Sequence, residues 1–92
     1  MRQPQANIRI LSDLGDAIRA RRRMTGLTLD DAAALLGVGR RFLVELENGK
    51  RHASIETVLR VLHGLGLELR VEPRRPQSWV SARSDEPGGE AR

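Results

Sequence analysis

The chain has no cysteine among its 92 residues, so neither a disulfide nor a thiolate zinc site holds it together. Its two histidines, His52 and His63, are isolated, which argues against a metal centre. No apolar run approaches membrane length and the first residues are polar, so a cytoplasmic, unsecreted protein with no membrane partner is expected. Nothing resembles a nucleophile set beside its base, and no glycine-rich phosphate loop follows a strand. Neither an enzyme nor a cofactor site is expected.

Positive charge, by contrast, is plentiful. A formal charge of +4 and a pI near 11.2 favour a polyanionic partner. The length allows one domain, and a domain this small is marginal alone, so oligomerisation would help it.

Helix signals recur along the chain. Ser12 is a plausible N-cap for a first helix in which Leu14, Ile18 and Arg22 recur at steps of four, and Gly26 ends it. Thr28 is placed to cap a second helix, with Asp31 three positions later as in a capping box. Ala32, Ala33 and Ala34 are small enough to let another helix cross closely, and Gly37, Val38 and Gly39 give the chain a place to turn. A third helix then runs from Arg40 to about Asn48, where Asn48 and Gly49 close it. Ser54 starts a last helix with Ile55, Val58, Leu59 and Leu62 on one apolar face. Val61 and Leu65 widen that face beyond what one small core needs, which points to a subunit interface.

After Gly66 the period changes to two, with Leu67, Leu69 and Val71 on one side and Glu68, Arg70 and Glu72 on the other. This is a strand pattern. One strand lacks a ladder partner, so either residues 8–11 or the same strand of a second copy must pair with it. From Pro73 onward Pro, Gly, Ser and charges dominate, and a tail disordered when free is expected. The expected organisation is an N-terminal extension over 1–10 with room for a short strand, a helix-turn-helix domain over 11–66, a dimerisation strand over 67–72 and a flexible tail over 73–92.

The spacing from Leu27 to Glu47, two short helices about a glycine-bearing turn, is that of a helix-turn-helix. With Gly26-Leu27-Thr28, Gly37-Val38 and Glu47-Asn48-Gly49-Lys50, residues 11–66 resemble the lambda/Cro-type, or xenobiotic-response-element, regulators. Residues 55–71, ending Leu-Gly-Leu-Glu-Leu-Arg-Val, are similar to HipB-like antitoxins. The resemblance implies a mainly α, four- to five-helix lambda-repressor-like domain whose short C-terminal β-strand pairs across a homodimer. It departs from the pattern at Leu29, where these repressors usually carry a phosphate-touching Gln, and at Gly39, which replaces a Ser or Thr cap at a loss of a few tenths of a kcal/mol.

Arg40 and Arg41 stand in the first turn of the third helix, where the helix dipole disfavours cations by about 0.3 to 1 kcal/mol. Stability therefore does not explain their placement. A recognition helix presents this end to base edges, and Arg forks onto guanine O6 and N7. Glu45, one turn on, is suited to accept from cytosine N4, or else to repel wrong sequences near phosphate. By resemblance, Thr28, Asn48, Lys50 and Arg51 meet phosphate; an ordinary charged loop is the plainer reading of the last two. Phe42 packs on Val38 and Leu46, or lies against a sugar or thymine methyl.

The basic run Arg19, Arg21, Arg22 and Arg23 suits the negative end of a helix. Arg22, however, follows Ile18 by four, and Glu47 follows Leu43 by four. Both charges fall on inward stripes, where an unpaired buried charge costs several kcal/mol, so they are expected to pair structurally.

Trp79 is a lone aromatic in a polar tail and suits an interface anchor. The HipB-like resemblance implies docking on a kinase toxin; folding back onto its own domain is the alternative. The expected function is a dimeric repressor of an inverted-repeat DNA operator, the autoregulating antitoxin of a HipA-like kinase toxin. A stand-alone repressor and a protein-only adaptor that has lost DNA binding remain open beside it.

Overall fold

Apolar positions at helical spacing become four helices in the computed structural model, which describes residues 5–73. They are α1 (Leu11–Met24), α2 (Leu29–Leu36), α3 (Arg40–Glu47) and α4 (Ile55–Gly64). The segment 74–92, and with it Trp79 and the expected tail, lies outside the described residues.

The helix starts use three different solutions. Thr28 caps α2, its Oγ1 accepting from the Asp31 N–H at 3.0 Å, and Ser54 caps α4 in the same way from Thr57 at 3.1 Å. Gly39 precedes α3 without any side-chain cap. The expected Ser12 cap of α1 is corrected: the helix starts two residues earlier, at Leu11, with Ile10 as N-cap. Asp13 reaches back from the third helical position instead, its Oδ2 taking the backbone N–H of Arg9 at 2.9 Å and of Ile10 at 3.2 Å. These bonds, Arg9's first, hold the Asp13 carboxyl below its usual value.

The end of α3 needs a residue that tolerates left-handed backbone. Gly49, at φ +71°, donates to the Leu46 carbonyl at 3.1 Å, and Lys50 donates to Glu45 at 2.8 Å. This Schellman closure satisfies two helix-end carbonyls and turns the chain away sharply.

All four helices contribute to one core. Ile18 of α1, Ala32, Ala33 and Leu36 of α2, Leu43 and Leu46 of α3, and Val58, Val61, Leu62 and Leu65 at α4 are buried together. The reading of Val61 and Leu65 as surplus for an interface is thereby corrected. Val61 has no exposed surface and Leu65 only 4%, because both pack into the one core cluster. Arg21 of α1 further ties down this end, donating through Nε to the Leu65 carbonyl at 2.8 Å.

Beyond α4 the single chain forms no strand among the described residues, so the expectation for 67–72 is not met within one chain. Pairing with residues 8–11 is likewise absent among the described residues. Leu67 packs on the core as its N–H closes α4 onto Leu62, while Leu69 and Val71 remain exposed. Ile8 and Ile10 are also exposed. A lone extended segment has nothing to complete its hydrogen bonds except solvent or another chain.

Candidate nucleic-acid interface

Eight residues of α3 are divided between two faces. Leu43, Leu46 and Glu47 are buried, while Arg40 and Arg41 are exposed and Glu45 is partly exposed. Three contacts set this orientation: Leu43 and Leu46 in the core, the Gly37 turn from α2 at φ +72°, and the packing of α1 against the far end of α3.

That last contact depends on Gly15. The residue is buried in α1, and a Cβ there would collide with the backbone carbonyls of Leu46 and Glu47. Lacking a side chain, α1 approaches the end of α3 closely enough for side chains on either side of Gly15 to reach across.

The reach is made by arginines. Arg22 Nε donates to Glu47 Oε2 at 2.6 Å and Nη2 donates to Oε1 at 3.0 Å, a bidentate pair with Arg22 8% and Glu47 3% exposed. Its remaining Nη1 donates to the Leu27 carbonyl at 2.9 Å. Glu47 raises the Arg22 pKa further above its already high value. The pair therefore joins α1, the start of the helix-turn-helix and the end of α3. Fork geometry and the additional bond from Nη1 to a backbone carbonyl offset the desolvation that makes buried ion pairs expensive.

Arg19 also meets the end of α3, a contact that the sequence pattern does not single out. Its Nη2 donates to Asn48 Oδ1 at 2.6 Å, and its Nε reaches Glu47 Oε1 at 3.4 Å. Arginine only donates, so the Asn48 oxygen faces Arg19 and its NH2 is the group left for an external acceptor. The contact spans 29 residues and becomes visible only once α1 and α3 are packed.

On the outer face the charges also meet in pairs. Arg40 Nε lies 2.9 Å from Asp30 Oδ1. Glu45 takes Arg41 Nε at 3.2 Å on one oxygen and Arg51 Nη1 at 3.1 Å on the other. These bonds, Arg41's before Arg51's, hold the Glu45 carboxyl below its usual value. The Arg51 guanidinium lies 5.0 Å from the Phe42 ring centroid, within cation–π range. Phe42 itself is half-buried and packs against the core.

Of the other residues singled out from the sequence, Thr28, Asn48 and Lys50 are all exposed. Thr28 lies at the start of α2, with its hydroxyl oxygen engaged by Asp31. Asn48 and Lys50 flank Gly49 at the end of α3. The structure thus brings Arg41, Glu45 and Arg51 into one cluster, holds Arg40 beside α2, and keeps Arg22 and Glu47 inside. Arg fingers at the open start of a helix are chemically suited to fork onto guanine edges, and the donors around Gly49 to meet phosphate oxygens. No helix among the described residues is long and apolar enough to cross a membrane.

Known proteins share the sequence pattern, this shape, or both. An uncharacterized HTH-type transcriptional regulator, y4mF, from Sinorhizobium fredii is 41% identical over 64 residues, which is 70% of this chain and 84% of that protein. The clp gene regulator ClgR from C. glutamicum is 31% identical with a TM-score of 0.60, covering 73% of this chain and 85% of the other. HipB, in a HipB-O4 20mer complex, has a TM-score of 0.68 at 20% identity and covers 77% of this chain and 100% of its own; at that identity the likeness concerns the fold. The family pattern described as helix-turn-helix matches residues 18–71, more than half of the chain and the whole α2-turn-α3 unit, and the chain belongs to the helix-turn-helix family.

Proposed function

We propose that the protein is a sequence-specific, DNA-binding transcriptional repressor that acts as a homodimer. One observation carries the reading: Arg40 and Arg41 are exposed in the first turn of α3, where the helix dipole opposes them and a groove-entering helix needs them. In this reading Arg40, Arg41 and Glu45 face base edges. Thr28, Asn48, Lys50 and Arg51 contact phosphate. The description of y4mF as a transcriptional regulator, and of ClgR as a gene regulator, supports it.

The proposed organisation is an extension over 1–10, the DNA-binding unit over 11–66, a dimerisation segment over 67–72 and a tail from 73. Leu69 and Val71, the latter 92% exposed, alternate with charged residues beyond a Leu67 anchored on the core. Pairing of this segment with its own copy would complete its backbone hydrogen bonds and create a twofold axis. Two α3 helices would then enter successive major grooves of an inverted repeat.

A narrower reading, an antitoxin regulating its own operon with a HipA-like kinase toxin as partner, rests on the resemblance of residues 55–71 to HipB-like antitoxins, and the fold is one that HipB shares. A HipA-HipB-O2-O3 complex contains a chain matched along its full length at a TM-score of 0.68. Trp79 would be the docking anchor. The ClgR likeness equally fits a stand-alone regulator. A kinase-like reading frame adjoining this gene decides for the antitoxin, and its absence for the regulator.

Footprinting the protein's own promoter tests the main proposal. Protection of an inverted repeat with half-site centres about 34 Å apart is expected. Arg40→Ala or Arg41→Ala should weaken that binding by about 1 to 3 kcal/mol and non-specific binding less. Parent-like footprints from both variants would remove α3 as the reading helix.

A further inference from the structure

The outer face of α3 is less positive than its arginines suggest, because Glu45 occupies two of them at once. Its two carboxylate oxygens go to different partners, Arg41 within α3 and Arg51 beyond its end. Arg51 is additionally seated over Phe42. The result is a chain of interactions, Arg41–Glu45–Arg51–Phe42, that joins a candidate base reader to a candidate phosphate contact.

We infer that Glu45 is a charge gate for DNA binding: it holds Arg41 and Arg51 away from phosphate in the free protein and releases them where a base edge takes its carboxylate. The inference rests on the proposed DNA-binding function and adds a specificity role to it. Non-specific binding draws on cations that neutralise phosphates and release counterions. An arginine already paired with a carboxylate contributes less to that process, since the pair must first be broken. At a matching operator the carboxylate has a substitute partner, the N4 amino group of cytosine. Arg41 is then free to fork onto a neighbouring guanine and Arg51 to reach phosphate.

Exposure keeps the gate weak enough to open. The Arg41 side chain is 90% exposed and that of Glu45 29%, and exposed pairs contribute little to stability. The gate therefore acts on the balance between wrong and right DNA, with little effect on the fold.

Glu45→Gln keeps the size and one acceptor while removing the charge. With a random-sequence duplex as probe, the variant should bind roughly five- to tenfold tighter than the parent. The slope of log affinity against log salt should steepen by about 1 to 2, the equivalent of one or two freed cations. Affinity for the promoter's protected site should rise less or fall, so the specificity ratio drops. The double variant Arg41→Ala with Arg51→Ala provides the background test. There Glu45→Gln should no longer change the salt slope, whereas a general repulsion between Glu45 and phosphate would leave the change in place and overturn the gate. An unchanged slope in the single variant also overturns it. If instead the parent binds neither duplex, it is the DNA-binding proposal that fails.

Discussion

Two glutamates two residues apart on α3 engage arginines in opposite settings. Glu47 lies in the seam between α1 and α3, 3% exposed, with the Arg22 fork on both oxygens and Arg19 Nε reaching one of them at 3.4 Å. Glu45 lies partly exposed on the outer face, with its two arginines approaching from different segments at 3.1 to 3.2 Å. Charge, partner type and helix are shared, so the difference is burial. In the seam, either partner left alone would be a charge without water or counter-ion, and the pair becomes a condition of the fold. At the surface, water replaces either partner at little loss, and the pair is free to exchange for another. An ion pair seen in a structure thus says little about its role until its access to solvent is known.

Removing the inner carboxylate is the strongest way to sharpen this contrast. Glu47→Ala leaves the Arg22 guanidinium buried and should lower stability by about 3 to 5 kcal/mol. For a domain of this size that is a melting-temperature drop of more than about 12 °C by calorimetry or circular dichroism. A loss of only a degree or two would show that solvent reaches the seam and erase the distinction.

Gly15→Ala tests the same seam through the backbone. Alanine gains about 1 kcal/mol in helix propensity, yet its Cβ meets two carbonyls of α3 that cannot rotate aside. Separating the helices should win, with a net loss of about 1 to 3 kcal/mol. A stabilised variant would show that the approach of α1 to α3 is looser than described.

The outer carboxylate should give the smallest effect. Glu45→Gln is expected to shift the melting temperature by no more than about a degree or two near neutral pH. Because the folded-state pKa of Glu45 lies below its usual 4.5, any stabilisation it gives is fully present above that value and lost as pH falls through the lowered one. Parent and variant melting curves should therefore converge in acid. A large gap at neutral pH would place Glu45 with Glu47 and break the comparison.

Local chemistry explains which features were legible in the sequence. The Thr28 and Ser54 caps and the glycine turns depend on neighbours within a few residues, and the apolar stripes of the four helices on a repeating step. The start of α1 was misread because its acceptor is carried by Asp13 inside the helix while Ile10, with no polar atom, holds the cap position. Val61 and Leu65 looked surplus only because a stripe shows which way residues face along one helix and not how deeply neighbours cover them. Gly15 and Arg19 were silent for a related reason. A glycine within a helix and one arginine among several acquire meaning from carbonyls and an amide some thirty residues later. At the outer face, the sequence places Arg40, Arg41 and Glu45 near one another, but Arg51 joins them only because the Gly49 closure folds the chain back beside α3.

The division of α3 also bears on how such a protein can change its target. The charges at 40, 41 and 45 pair with Asp30, with each other and with Arg51, whereas 43, 46 and 47 are buried. The outward residues form a cassette that can be rewritten while the scaffold stays constant, by drift after gene duplication or by a designer wanting orthogonal genetic switches. Any transplant must carry position 51 with it, since a new residue at 45 inherits an arginine placed to answer it.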